Sequence, residues 1–241
     1  MKDSALTKER LKDVRVLAFD VFGTVVDWCS SIALEIERLN PKVDGRLFAR
    51  AWRAGYQPAM QRVRTGELPW TLIDDLHRMI LDDILIEFGM SELDESQKRQ
   101  LNQVWHRLQA WPDSAQGITR LKTRYITTTL SNGNVNLLVN MAKAASLNWD
   151  CVLSAEVFKA YKPDPATYLG VARIFDVRPD QVMLVAAHQD DLDAARECGL
   201  LTAYIERPTE FGTDMLKDVS PHPANTLHAR TITALADTLL S

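Results

Sequence analysis

The sequence predicts an α/β protein: a parallel sheet covered by helices on both faces, with an all-helical cap inserted after the first strand. Three observations carry that prediction. A short, β-branched and apolar run, "VRVLAF" at 14–19, reads as a buried strand. From about residue 30 to residue 107 nearly every segment has helical spacing instead. After Pro112, strand and helix patterns alternate, which implies right-handed crossovers and parallel strands buried on both faces.

The elements follow in order. The helical interval contains "SSIALEIERLN", "GRLFARAWRAGYQPAMQRVRTG", "WTLIDDLHRMILDDILIEFG" and "DESQKRQLNQVWHRLQAW". Breaks fall at Asn40-Pro41, Gly66 and Gly89, where a helix loses its donor or its entropy balance. Beyond it, "GITRLKT" is helical, "YITTTL" (125–130) a strand and "NVNLLVNMAKAAS" a helix. "CVLSAE" is a weaker strand, "PATYLGVARIFD" a helix and "QVMLVAA" (181–187) a strong strand. "DLDAARECGL" is a helix closed by Gly199, and "LTAYIE" the final strand. The expected organisation is a Rossmann-like core from residues 1–27 and 108–241, with a helical cap at 28–107.

Composition excludes several function classes. A formal net charge of −4 argues against a nucleic-acid partner. No run approaches the ~18–20 apolar residues of a bilayer span, and "MKDSALTKERLKD" has no apolar stretch of a secretory signal. Three cysteines without CxxC spacing point away from a disulfide framework or a zinc site. The expectation is a cytoplasmic protein with no membrane partner.

The chemistry gathers at strand ends. In an open parallel sheet, ligands bind beyond the carboxyl ends of the strands. The first strand delivers Asp20 there, in "VLAFDVFGTVVDW". A carboxylate at the tip of a buried strand loses hydration and needs partners or a task. "YITTTL" delivers Ser131 and Asn132, "QVMLVAA" delivers His188, Asp190 and Asp191, and "KAYKPDPATY" offers Lys162 before a helix start.

The strings "DVFGT", "LSNGN", "KPDP" and "AAHQDDLDAARECGL", in that order, resemble the four motifs of the haloacid dehalogenase superfamily. Most members are phosphatases, which resemble D-x-D-G-T with the second Asp as general acid and base; here that position is Phe22. They also carry G-D-x-x-x-D, whose first Asp holds magnesium; here that position is Ala187, and Asp191 is the acid that remains. Loss of the acid removes the proton donor for an alkoxide, and loss of the ligand depletes an oxygen-rich magnesium shell. A leaving halide needs neither. The chain therefore resembles the type II, or L-2-haloacid, dehalogenases.

That resemblance implies hydrolysis of short 2-haloacids (haloacetate, 2-halopropionate) to 2-hydroxy acids, with no metal or cofactor and with room for a homodimer. Asp20 is implied as the nucleophile that forms an aspartyl ester, and Lys162 as the cation that keeps it ionised. Ser131 and Asn132 are implied as donors to the substrate carboxylate or the nucleophile, a plain turn being the alternative. The amides of Val21 and Phe22 are expected as further donors, and the Thr24 hydroxyl is expected to orient Asp20 or the substrate, a tight-turn role being the alternative. Arg53, on the cap, pairs with the halide or the substrate carboxylate; an exposed helix arginine is the alternative. Tyr168 matches a family tyrosine near the site. His188 stands where the family has Asn, and with Asp191 it is expected to activate or place the hydrolytic water, although Asp191 could equally hold Lys162. His77, His106, His222 and His228 read as surface or cap residues. Two other readings stay open: a superfamily phosphatase that uses magnesium, and a non-catalytic relative that binds an anion.

Overall fold

The computed structural model describes residues 9–241, so the first eight residues of the polar N-terminal stretch lie outside the described residues. The sheet has six parallel strands: β1 (Val16–Phe19), β4 (Ile126–Ser131), β5 (Cys151–Ser154), β6 (Val182–Ala186), β7 (Leu201–Ile205) and β8 (Leu227–Ala229). They run in the order β5-β4-β1-β6-β7-β8. β1 is central: Val16 faces Ile126 on one side and Val182 on the other. Because successive strand residues point to opposite faces, Val16 and Ala18 enter one apolar cluster while Leu17 and Phe19 enter the other. Both faces are thereby covered, as the fold class requires.

Helices follow the strands. α6 (Ser114–Leu121), α7 (Val135–Ala144), α8 (Ala155–Phe158), α9 (Pro165–Ile174), α10 (Gln189–Glu197) and α11 (Ile232–Leu240) alternate with or follow the core strands. α9 shows why such helices start where they do. Asp164 caps it by accepting from the Ala166 amide at 2.8 Å, and Pro165 occupies the first position, where its missing N–H costs nothing. Among the described residues, no helix is long and apolar enough to cross a membrane.

Between the first strand and α6 the chain is helical. α1 (Trp28–Leu39), α2 (Gly45–Ala54), α3 (Tyr56–Arg64), α4 (Ile73–Glu87) and α5 (Glu95–Asn102) lead into a 3₁₀ turn at Gln103–Arg107. The insertion leaves and returns through an antiparallel clip of β2 (Val26–Asp27) and β3 (Gln109–Ala110), which pairs Val26 with Ala110 and Asp27 with Gln109. Its interior is not a separate core. Trp28, Trp52 and Trp105 belong to the same buried cluster as Phe19, Phe22 and Val185 of the sheet side.

The structure departs from the sequence reading in three places. The helix expected over "GRLFARAWRAGYQPAMQRVRTG" is two, divided at Gly55. Pro58 has no N–H to give to the Ala54 carbonyl, and a proline is tolerated only in the first turn of a new helix. "LTAYIE" is not the last strand, since β8 adds to its edge, with Ala203 against Leu227. His77 and His106 do lie in the cap segment but are buried: His77 is stacked on Trp105 at 4.0 Å, and His106 Nε2 lies 3.0 Å from Asp74.

Candidate active site

β1 ends at Phe19, and the next residue, Asp20, emerges at the carboxyl edge between β4 and β6. The turn behind it is tightly pinned. The Val21 carbonyl accepts from the Val25 and Val26 amides, Trp111 Nε1 donates to the Gly23 carbonyl at 3.0 Å, and Arg207 Nε donates to the Thr24 carbonyl at 2.9 Å. Gly23 has φ +83°, a region costly for any residue with a Cβ. An added Cβ there would also run into the Glu210 carboxylate.

Asp20 is buried, and both its oxygens are engaged. Oδ1 accepts from Lys162 Nζ at 2.9 Å. Oδ2 accepts from Thr24 Oγ1 at 2.7 Å and lies 3.0 Å from His188 Nδ1. The Ala187 amide donates to Thr24 Oγ1 at 2.9 Å, which leaves the threonine proton for Asp20. Burial alone would raise the Asp20 carboxyl, but Lys162 and His188 overcome it and hold it well below the usual carboxylate range. Asp20 is therefore a fixed, ionised carboxylate.

Lys162 bridges two acids. Its ammonium also lies 2.5 Å from Asp191 Oδ2, while Tyr168 OH donates to Asp191 Oδ1 at 2.6 Å. The Lys162 amide donates to Asn132 Oδ1 at 2.8 Å, so Asn132 fixes the lysine loop. Burial disfavours the ammonium, yet Asp191 and Asp20 raise Lys162 above its ordinary value. Asp191 is itself raised, by burial first and by the nearby Asp20 charge, against the pull of Lys162.

A cleft of about 140 Å³ opens onto these groups, lined by Asp20, Phe22, Arg53, Tyr56, Lys162 and His188 among others. Arg53 comes from the last turn of α2. Its guanidinium lies 4.1 Å from the Tyr56 ring centroid, and its Nη1 is buried with no hydrogen-bond partner. Asn132 and Tyr168 also line the cleft, whereas Ser131 and Val21 do not. Ser131 Oγ accepts from the Gly133 amide at 3.2 Å, a turn contact that leaves its own proton to donate, and the Val21 side chain packs in the core while the role expected of that residue belongs to its amide.

Sequence reasoning missed Glu210 and Lys217. His188 Nε2 lies 2.8 Å from Glu210 Oε1, and Lys217 Nζ donates to Glu210 Oε2 at 2.7 Å and to the Ala187 carbonyl at 2.5 Å. With a carboxylate at each ring nitrogen, His188 must donate from both and is an imidazolium. Burial would lower it, but Glu210 and Asp20 push it up to about 9. Glu210, which burial would raise, is brought down to about 2 by His188 and Lys217. In this geometry His188 is a donor at both ring nitrogens. A histidine in place of an amide does signal a search for a second acid. Glu206, Glu210, Asp214 and Asp218 are equal candidates in the string, however, and the sequence does not choose among them.

Taken together, a parallel α/β sheet, an ionised aspartate at the tip of its central strand and a lysine–aspartate pair facing it define a hydrolase with a carboxylate-centred site. Comparison with known proteins makes the class specific. Residues 14–199 match the family model described as haloacid dehalogenase-like hydrolase, and the chain belongs to that family. It is 30% identical to (S)-2-haloacid dehalogenase 1 of Pseudomonas sp. (strain CBS-3), over 82% of this chain and 88% of that protein. It is 29% identical to (S)-2-haloacid dehalogenase 4A of Burkholderia cepacia, over 89% and 92%. Among solved structures, the L-2-haloacid dehalogenase PA0810 superposes with a TM-score of 0.89 at 43% identity, covering 94% of this chain and 99% of that one. The defluorinating L-2-haloacid dehalogenase Rha0230 superposes at 0.90 with 41% identity, over 95% and 96%.

Proposed function

We propose that this protein hydrolyses short 2-haloacids to 2-hydroxy acids through an ester on Asp20, without a metal ion. The observation that carries the reading is the pairing of an ionised, clamped Asp20 with a cleft cation, Arg53, that has no carboxylate partner among the described residues. The charged groups linked to Asp20 pair among themselves, Asp20, Asp191 and Glu210 with Lys162, His188 and Lys217, and the buried Arg207 pairs with Asp113. Arg53 is thus left to receive the carboxylate or the halide of an anionic substrate. The cleft lies well below the roughly 300–1,000 Å³ of sites for drug-sized ligands, which suits an acid of few heavy atoms.

In this reading a lone pair on Asp20 Oδ1 attacks the α-carbon, and the halide leaves with the bonding pair. Oδ1 is the better nucleophile because it accepts from one donor while Oδ2 accepts from two. Water then attacks Asp20 Cγ. Asp191, whose raised carboxyl is suited to take a proton, receives one from that water. Lys162, in contact with both acids, returns a proton to Oδ1 as the Cγ–Oδ1 bond breaks. Back-side attack on an L-centre gives a D-hydroxy acid. Residues 28–107 act as the cap that completes the cleft over the core of 1–27 and 108–241. A cytoplasmic setting accords with three free thiols, Cys29, Cys151 and Cys198.

Magnesium-dependent phosphatase chemistry fits these residues poorly. Position 187 offers an alanine, and Lys162 and His188 place two cations on the oxygens of Asp20 that a divalent ion would need. The test is halide release from monohaloacetates and 2-halopropionates in EDTA, with Asp20→Asn as control. Release that survives chelation and vanishes in Asp20→Asn supports the proposal. No halide, but phosphate freed from phosphomonoesters once magnesium is added, overturns it.

A further inference from the structure

Three charged residues that take no bond-making part in the displacement step, Lys217, Glu210 and His188, contact one another in that order and end on Asp20 Oδ2. Glu210 is 1% exposed, although it comes from the segment after β7 and belongs to no motif. It receives His188 Nε2, Lys217 Nζ and, at 3.3 Å, Trp28 Nε1. The recess it fills exists because Gly23 has no Cβ. A carboxylate held by three donors in a dedicated recess does more than neutralise a loop.

The geometry points to Glu210 as a positioning residue for the second half of the reaction: it holds His188 as a cationic donor aimed at Asp20 Oδ2, so that His188 Nδ1 and Thr24 Oγ1 form the oxyanion site for hydrolysis of the Asp20 ester. This inference rests on the dehalogenase reading and deepens it. Once Oδ1 carries the substrate carbon, Oδ2 is the ester carbonyl oxygen. When water adds to Cγ, the carbonyl π pair moves onto Oδ2, where the two donors already stand at 3.0 and 2.7 Å. The pair returns as the Cγ–Oδ1 bond breaks, and the hydroxy acid leaves with the original Oδ1. Asp20 keeps the oxygen of the water, and its remaining proton is lost to solvent because the regenerated carboxyl is strongly acidic. Thr24 cannot turn away, because the Ala187 amide fixes its lone pair.

Glu210 matters most in the ester. Esterification removes the Asp20 charge, so one of the two carboxylates that keep the His188 ring protonated is gone. Glu210 alone then opposes burial. The other charged groups around the pair are Lys162 from the loop before α9, Asp191 at the start of α10, Asp190 and the cap residue Arg53 in the cleft lining, and Arg207 and Lys217 after β7.

The test is Glu210→Gln in the full chain with L-2-chloropropionate. Its neutral amide gives its oxygen to Lys217 and its NH₂ to His188 Nε2, which leaves an uncharged ring on Oδ2. Expected are first-turnover chloride release at close to the wild-type rate, a kcat lower by roughly 10- to 100-fold, and ester accumulating on Asp20 in intact-protein mass spectrometry. The alkaline limb of kcat should also move down by about one pH unit or more, a tenfold change in proton affinity. Glu210→Asp should keep the limb in place, and Lys217→Met, which leaves Glu210 unshared, should move it up. That opposite shift decides the matter even where Glu210→Gln does not fold. An unmoved limb in the variants, or slowing of the first turnover with no trapped ester, overturns the role given to Glu210. Absence of chloride from the wild type overturns the dehalogenase reading instead.

Discussion

Phe22 meets Trp105 edge to face, ring centroids 5.6 Å apart and planes at 88°. The residue two places after the nucleophile is thereby committed to the junction between sheet and helical insertion. It also meets the ring of His77 at 6.3 Å. Because the ring fills a buried site, Phe22→Ala should cost about 3–5 kcal/mol of stability, read from urea denaturation. Phe22→Asp should cost at least as much and yield no magnesium-dependent phosphatase activity. A folded Phe22→Asp variant that hydrolyses phosphomonoesters would show that the wall of the cleft is easily converted.

Lys162→Met leaves Asp20 and Asp191 buried without their shared cation. Burial and mutual repulsion then raise the pair, which shares one proton. Activity should fall by about 10²-fold or more at neutral pH, and the acid limb of kcat/KM should move upward. A variant with a wild-type acid limb would mean that Lys162 does not set the ionisation of Asp20.

Arg53→Lys keeps a positive charge but loses the planar group over Tyr56 and the free Nη1 donor. Loss of one charge-assisted contact of about 1.4 kcal/mol raises KM roughly tenfold. Inhibition by added halide should weaken in step if Arg53 receives the leaving ion, and should stay unchanged if it receives only the carboxylate. Comparing the two constants in one variant separates the roles.

Stability should depend on pH through His188 and Glu210. His188 is raised from 6.5 to about 9, so its contribution is complete below pH 6.5 and is lost as pH rises through 9. Glu210 is lowered from 4.5 to about 2, so its contribution is complete above pH 4.5 and is lost as pH falls through 2. The pair therefore stabilises most between pH 4.5 and 6.5. Unfolding titrations in that window and at pH 9 should show the decline, and His188→Asn should flatten the alkaline side. An equal alkaline decline in His188→Asn would assign it to another group.

The parts of the fold legible in the sequence were those that local pattern dictates. Short runs rich in β-branched residues and bounded by turn signals read as covered strands, apolar in β1 and β6 and threonine-rich in β4, so these three are readable, and with them Asp20 and His188 at the tips of β1 and β6. Lys162 was readable because its prolines mark a loop before a helix. Glu210 is not, because its importance comes from meeting a histidine across an intervening strand and helix and a tryptophan 182 residues away in the chain. The hydroxyl of Ser131 suits a turn or a substrate equally well in the sequence, and its contact with the Gly133 amide uses only its acceptor side. The division at Gly55 was signalled by Pro58, yet the long amphipathic pattern concealed it, since periodicity continues across a break that leaves both helices on the same core.

The two-rung clip at Val26–Ala110 and Asp27–Gln109 has a consequence for recombination. It brings the entry and exit of the insertion side by side, so a foreign helical segment could be spliced between those points without rerouting the sheet. The graft would not be neutral. Phe22 stays with the recipient and still needs an indole and an imidazole at the positions of Trp105 and His77. Only donors that restore this aromatic seat should yield a stable chimaera, which makes the joint permissive in its backbone and selective in its side chains.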